Sequence, residues 1–181
     1  MAKVCMFTAD GFEEVEGLTV VDLLRRAGEE VLMVSISDNL SVTGSHGIEI
    51  KADVFFDDVD YSTVDMLVLP GGMPGTVHLG EHQGLAELLQ SFAASDRKVA
   101  AICAAPSVLG GLGILKNKKA ACYPGFEEKL EGAQVFTDPV VKDGNITTSR
   151  GVGTAISFAL ELISQLEGEV KARQIKKSIV S

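Results

Sequence analysis

Short apolar runs rich in β-branched residues recur at Val4–Thr8, Val31–Ile36, Met66–Leu69, Val99–Ile102 and Ile146–Thr148, and several stretches between them carry apolar residues at helical spacing. Runs of this kind fill strands that are buried on both faces, so their alternation with helices predicts a mostly parallel sheet with helices packed on both sides. The first helix has Asp10 as its cap with Glu13 three residues on, and Gly28 follows its last apolar residue, Ala27, as a stop. A second helix is predicted over Leu85–Ala94. A third runs from Ala155 to Leu166, with Ile156, Ala159, Leu160, Leu162 and Ile163 on one broad stripe. The polar, glycine-containing text from Ser37 to Lys51 predicts a loop and a small hairpin. Across Lys119–Thr137 the pattern predicts two short strands flanking a helix begun near Pro124.

Composition narrows the class. With 181 residues, 46% of them hydrophobic and 23% charged, the chain fits one α/β domain over 1–181 with a full core. A net charge of −9 argues against a nucleic-acid surface, which needs clustered Lys and Arg to neutralise phosphates. The one basic cluster, Lys171 to Lys177, lies on an amphipathic C-terminal helix and reads as a solvated face. No stretch is apolar enough to cross a membrane, and Met1–Thr8 enters a strand with no apolar leader. Cysteines at 5, 103 and 122 are odd in number and lack metal-ligand spacing. Neither a disulfide framework nor a metal site is predicted, no cofactor is implied, and a reducing cytoplasm is the expected compartment.

One of these cysteines stands out. Lys98-Val-Ala-Ala-Ile-Cys103-Ala-Ala-Pro-Ser-Val-Leu109 leads an apolar strand into Cys103 and out into a helix, with Ala101 and Ala105 keeping the bend small and Pro106 suited to a first helical turn. The thiol would lie beside the free N–H groups of a helix start, which predicts a lowered pKa. The competing reading is an inert buried thiol. Cys5 belongs to the core by position. Cys122, at a strand end before Tyr123-Pro124, is the more accessible of the other two.

Leu69-Pro-Gly-Gly-Met-Pro-Gly75 follows a buried strand and cannot continue it; Gly71 and Gly72 are able to aim N–H groups at a bound anion, while the Lys-Ser/Thr ending of a phosphate loop is absent. Gly151-Val-Gly153 lacks the third glycine of a dinucleotide fingerprint. Glu16 shares a helical row with Phe12, Val20 and Leu23, so it is either a half-buried rim residue or a functional carboxyl, and the residues alone favour the rim. Glu13 and Glu14 read as solvent-facing first-turn acids. His46, His78 and His82 read as surface residues.

Four segments in order, Ala9-Asp-Gly-Phe-Glu-Glu-Val-Glu16, Leu69-Pro-Gly-Gly72, Ala100-Ala-Ile-Cys103-Ala-Ala-Pro106 and Thr148-Ser-Arg-Gly-Val-Gly-Thr154, resemble the ThiJ/PfpI superfamily, and most of all its DJ-one branch. The resemblance covers essentially the whole chain, including Asp22-Leu-Leu-Arg-Arg-Ala-Gly28. It implies a single class I glutamine-amidotransferase-like domain with a flavodoxin-like three-layer sandwich, a homodimer, and a reactive cysteine on a strand-to-helix elbow. By motif matching, Cys103 takes the position of the oxidisable nucleophile and Glu16 that of its carboxyl partner. Gly72 and Ala104 would supply oxyanion-type amides. Gly71, Tyr123, Ser149 and Arg150 would line the pocket, and Asp22 and Arg26 would lie at the dimer contact.

Two departures matter. Protease-like members carry a histidine directly after the cysteine, where this chain has Ala104, so peptidase activity is not expected. Human-type members carry a histidine before the pocket proline, where this chain has Tyr123, a poor base at neutral pH. Two functions remain open: attack of Cys103 on reactive aldehydes or their protein adducts, in the manner of a glyoxalase or deglycase, and a non-enzymatic redox sensor or chaperone whose cysteine is oxidised to a sulfinate.

Overall fold

The computed structural model describes residues 1–181. Its strands are β1 (Lys3–Thr8), β2 (Glu30–Ser35), β3 (Ser41–Thr43), β4 (Glu49–Lys51), β5 (Val54–Phe55), β6 (Met66–Leu69), β7 (Lys98–Ile102), β8 (Lys119–Ala120), β9 (Gln134–Val135), β10 (Val140–Asp143) and β11 (Ile146–Ser149). Its helices are α1 (Glu14–Ala27), α2 (Gly75–Glu81), α3 (Gln83–Ala94), α4 (Pro106–Gly111), α5 (Ala155–Glu167) and α6 (Glu169–Ser178). Seven strands form one sheet in the order β10-β11-β7-β6-β1-β2-β5, parallel throughout except for β10, which runs antiparallel to β11 at the edge.

The period-2 alternation of strand side chains divides the core into two layers. Cys5, Phe7, Leu67, Leu69 and Val99 point to one face, where Leu79, Leu85, Leu89, Phe92 and Leu109 of α2, α3 and α4 cover them. Val4, Met6, Met66, Val68 and Ile102 point to the other, against Val20, Leu24, Phe158, Leu162 and Ile175 of α1, α5 and α6. The result is the expected three-layer, flavodoxin-like sandwich. No helix is long and apolar enough to cross a membrane. From β1 the chain goes to β2 on one side and later returns to β6 on the other, so the C-terminal ends of β1 and β6 open the crevice where open α/β sheets hold their ligands.

Local differences from the expected elements have physical causes. Helix α1 is capped by Glu13, whose carboxylate accepts from the Val15 N–H at 3.3 Å. Asp10 is directed elsewhere, accepting the Thr43 N–H of the β3–β4 hairpin at 2.8 Å. Gly28 ends the helix as expected, in the left-handed region at φ 97° with its N–H turned back on the last carbonyls. Between β8 and β9, which pair in parallel, only a 3-10 turn at Glu127–Lys129 forms instead of a helix. The left-handed Gly125 and Gly132 lie on either side of that segment and turn the chain there.

Candidate active site

Strand β7 ends at Ile102, and Cys103 makes the bend in the left-handed region at φ 66°. A non-glycine residue held there stores about 1–3 kcal/mol of strain and persists only where its surroundings over-determine it. Here they do: the Cys103 N–H donates to the Ser149 carbonyl of β11 at 3.0 Å, and the Cys103 carbonyl accepts from the Tyr123 N–H at 2.8 Å. Ala101 and Ala105 are fully buried at the bend, and Pro106 opens α4 as expected. Cys103 is half-buried, whereas Cys5 and Cys122 are both buried, so the expectation of an accessible Cys122 is corrected: Cys122 packs into the core beside Leu115 and Leu130.

Glu16, on α1, is 0% exposed and lies against this cysteine. The rim position favoured by its helical row is overturned, because the Gly71–Gly72 turn and the Cys103 elbow close over that row. Glu16 Oε2 accepts the Gly71 N–H at 2.9 Å, and the carboxyl and thiol share a hydrogen bond. Glu16 Oε1 has no partner. Burial pushes the Glu16 carboxyl up to about 7, against the hydrogen bonds from Cys103 and Gly71 that pull it down. The Cys103 thiol is pushed up to about 12, by burial first and then by the charge and hydrogen bond of Glu16, while the amides of Ala104 and Gly72 pull it down. The expected lowering of the thiol pKa is therefore corrected: α4 is only six residues long, and its start is outweighed by desolvation and an adjacent carboxylate. Protons leave this pair in two steps, the first near neutrality. The resulting single charge can sit on the carboxylate or, with Glu16 protonated and donating, on a sulfur that also receives two amide N–H groups.

The hairpin of β3 and β4 folds over the start of α1 and buries both Glu13 and Glu14, correcting their expected solvent-facing position. The Ser45 N–H donates to the Phe12 carbonyl at 2.8 Å, and Glu14 Oε1 accepts the N–H groups of His46 at 2.8 Å and Ile48 at 3.3 Å. His46 Nδ1 lies 3.1 Å from Glu14 Oε2 and 3.4 Å from Glu13 Oε2. Burial opposes ionisation of Glu14, yet these hydrogen bonds outweigh it and hold the carboxyl down at about 2. The hydrogen bond to Glu14, with the Glu13 charge, raises the pKa of His46. Glu13, Glu14 and His46 are the one grouping with the atom types of a cation site, within 4.8 Å of one another. Backbone N–H groups and the imidazole already occupy their carboxylates, which accounts for the grouping as a clamp that holds the turn on the helix.

An open cavity of about 570 Å³ lies above the cysteine. Glu16, Gly72, Cys103, Tyr123 and Arg150 line it, as do His46 and Thr154. Gly71 and Ala104 sit behind the wall. Ser149, expected to line the pocket, is fully buried: its hydroxyl donates to the Pro139 carbonyl at 2.7 Å and lies 2.7 Å from Thr154 Oγ1. Thr154 Oγ1 in turn accepts the N–H groups of Arg150 and Gly151 and fixes that loop. Asp22 and Arg26 form an ion pair of 2.6 Å on the exposed face of α1. His78 and His82 lie outside the cavity, the first against the Asp10 carbonyl at 2.9 Å and the second capping α3. Sequence reasoning missed Glu13, His46 and Thr154 as parts of the site. The glycines on either side of Ser45-His46 were the available signal for a turn packed tightly on something.

The model of the DJ-1/PfpI family matches residues 2–165. The chain belongs to the DJ-1/PfpI family. It is 38% identical over 180 residues to Protein DJ-1 homolog B of Arabidopsis thaliana, covering 98% of this chain and 41% of that protein. It is 35% identical to glutathione-independent glyoxalase DJR-1.2 of Caenorhabditis elegans, covering 92% of this chain and 89% of that one. Deglycase PfpI of Pyrococcus furiosus is 33% identical, with 91% and 99% covered. The chain thus spans less than half of the plant relative and most of the other two. Among solved structures, oxidized Toxoplasma gondii DJ-1 superposes with a TM-score of 0.95 at 35% identity, over 99% of this chain and 98% of that one. DJ-1/PfpI membership accords with the four motifs that meet around Cys103.

Proposed function

We propose that the protein detoxifies reactive aldehydes, converting 2-oxoaldehydes or the adducts they form on proteins to 2-hydroxy acids through Cys103. The carrying observation is the Glu16–Cys103 pair at the floor of an open cavity, with the Gly72 and Ala104 amides beside the sulfur. In this reading the sulfur adds to the aldehyde carbon and the amides receive the developing oxyanion. Glu16 moves protons between sulfur, oxygen and carbon, and water then releases the acid and restores the thiol. The names of the glyoxalase and deglycase relatives support the substrate class. Ala104 in place of a histidine argues against peptidase chemistry. The test is lactate formation from methylglyoxal by the purified protein, beside Cys103→Ser. Lactate from the wild type alone is expected, and equal rates from both overturn the proposal.

A second reading has its own support. Cys103 is the one cysteine that is not buried, and the buried Glu16 Oε1 has no partner, which suits a sulfinate held by a protonated carboxyl. A relative whose solved structure is described as oxidized accords with it. Both readings use the same thiol and carboxyl. We further propose a homodimer: Val15 and Ile48 beside the hairpin clamp and Val152 and Ile156 beside the cavity are exposed apolar side chains. Sedimentation of the purified chain at twice its own mass is expected, and a monomer at micromolar concentration counts against it. Three free thiols suit a reducing cytoplasm as the compartment.

A further inference from the structure

The proposed reaction needs a second acid–base group beside Glu16. Moving the oxidation level of a 2-oxoaldehyde from one carbon to the next requires a proton at the second carbonyl oxygen while Glu16 is engaged at carbon. We infer that His46, carried on the turn between β3 and β4, is the acid–base group of this pocket and gives its Nε2 proton to that oxygen. This rests on the aldehyde reading above.

Three observations carry it. His46 lines the same cavity as Cys103 and Glu16, though it comes from an element distant in sequence. Its Nδ1 is engaged by Glu14 Oε2 at 3.1 Å and Glu13 Oε2 at 3.4 Å, so Nε2 is the nitrogen left for a substrate. Its side chain is 67% exposed, whereas the other two histidines do not line the cavity. A carboxylate on Nδ1 is the arrangement that fixes the tautomer of a catalytic imidazole and steadies its charged form. The charged and titratable groups around it are Glu13, the cap of α1, and Glu14 in its first turn, and across the cavity Arg150, Tyr123, Glu16 and Cys103. Ser45 of its own turn lies 3.1 Å from Nδ1.

The steps balance without an external oxidant. The sulfur bonds to the aldehyde carbon, whose oxygen takes the Glu16 proton. The Glu16 carboxylate then removes the hydrogen of that carbon as a proton. The electron pair left behind forms a carbon–carbon double bond, and the second carbonyl oxygen takes up the displaced pair together with the His46 Nε2 proton. Glu16 returns its proton to the second carbon, and His46 recovers one from the first oxygen. The first carbon is thereby oxidised to a thioester and the second reduced to an alcohol. Water adds to the thioester carbon as it loses a proton to the Glu16 carboxylate, and the thiolate leaves with the acid released, which restores the starting pair.

The experiment measures lactate formation from methylglyoxal across pH by wild type, His46→Gln, His46→Asn and Glu14→Gln, with Cys103 alkylation by iodoacetamide as the readout of an intact elbow. Loss of roughly 10²-fold or more in kcat/KM is expected for both His46 variants, with alkylation within about twofold of wild type. In a third His46 variant, His46→Ala, added imidazole should restore part of the lost rate. The wild-type rate should fall as pH rises past the His46 pKa, and Glu14→Gln should move that fall to lower pH. Wild-type turnover with an unchanged pH profile in the His46 variants overturns this inference and leaves the aldehyde reading standing. Absence of lactate from the wild type removes both.

Discussion

Replacing Glu16 by glutamine is expected to reduce turnover by about 10²- to 10⁴-fold, the range for loss of a positioned acid–base group, while making the Cys103 thiol more acidic. The two effects have opposite signs because Glu16 acts on the sulfur in two ways. Its negative charge and its demand for the thiol hydrogen help hold that thiol up at about 12. Its proton, when present, is what the proposed reaction moves. Glutamine removes both. Alkylation rate against pH should show the thiol titrating at lower pH in the variant, and a lactate assay should show the loss of turnover. A variant that keeps wild-type turnover would remove Glu16 from the chemistry.

The same substitution bears on stability and on oxidation. A carboxyl whose folded pKa is about 7, against an ordinary value of 4.5, binds its proton more tightly in the native state. Stability therefore falls as pH rises from about 4.5 to about 7, by an amount on the order of 3 kcal/mol from 1.36 kcal/mol per unit. Glu16→Gln should flatten that part of the profile, read as melting temperature at pH 4.5 and 7.5. Under mild peroxide, intact-mass spectrometry should find two added oxygens on Cys103 of the wild type and loss of that arrested state in the variant. Oxidation of Cys122 ahead of Cys103 would count against the sensor reading.

Gly71→Ala is the second large effect. A Cβ at Gly71 would stand 2.5 Å from the Cys103 Cβ, 2.6 Å from Glu16 Oε2 and 3.1 Å from the sulfur. Cys103 is held on both sides by β11 and the Tyr123 segment, so it is the carboxyl–thiol contact that must open. A displacement of this size at a reacting group costs about 10²-fold in rate, and overpacking a tight site costs about 1–3 kcal/mol in stability. Turnover and peroxide sensitivity should thus fall together in a protein that still folds, read by lactate assay and thermal melt. A Gly71→Ala protein with normal peroxide sensitivity would show that the pair tolerates separation.

Much of the fold is legible in the order of residues alone. The buried strands from Val4, Val31, Met66, Val99 and Ile146 form near their expected limits because each is a continuous apolar run that has no other stable place than the middle of a covered sheet. The strand-to-helix bend at Cys103 is visible in Ala101, Ala105 and Pro106 for the same local reason. Less legible are groups whose state depends on what covers them. The row of Glu16 looks like a rim because the Gly71–Gly72 turn that covers it lies 55 residues away in the chain. His46 looks like a surface residue because its partners, Glu13 and Glu14, meet it only across the folded hairpin.

The sequence by itself determined the layered α/β architecture and the bend, and it singled out Cys103 as the candidate thiol, since these follow from local apolar pattern and from small residues at a bend. Only the tertiary structure decided the direction in which Glu16 and Cys103 are shifted and the presence of a histidine in the pocket. Desolvation and charge coupling depend on distances between residues far apart in the chain, and those distances exist only once the hairpin, the glycine turn and the elbow have packed together.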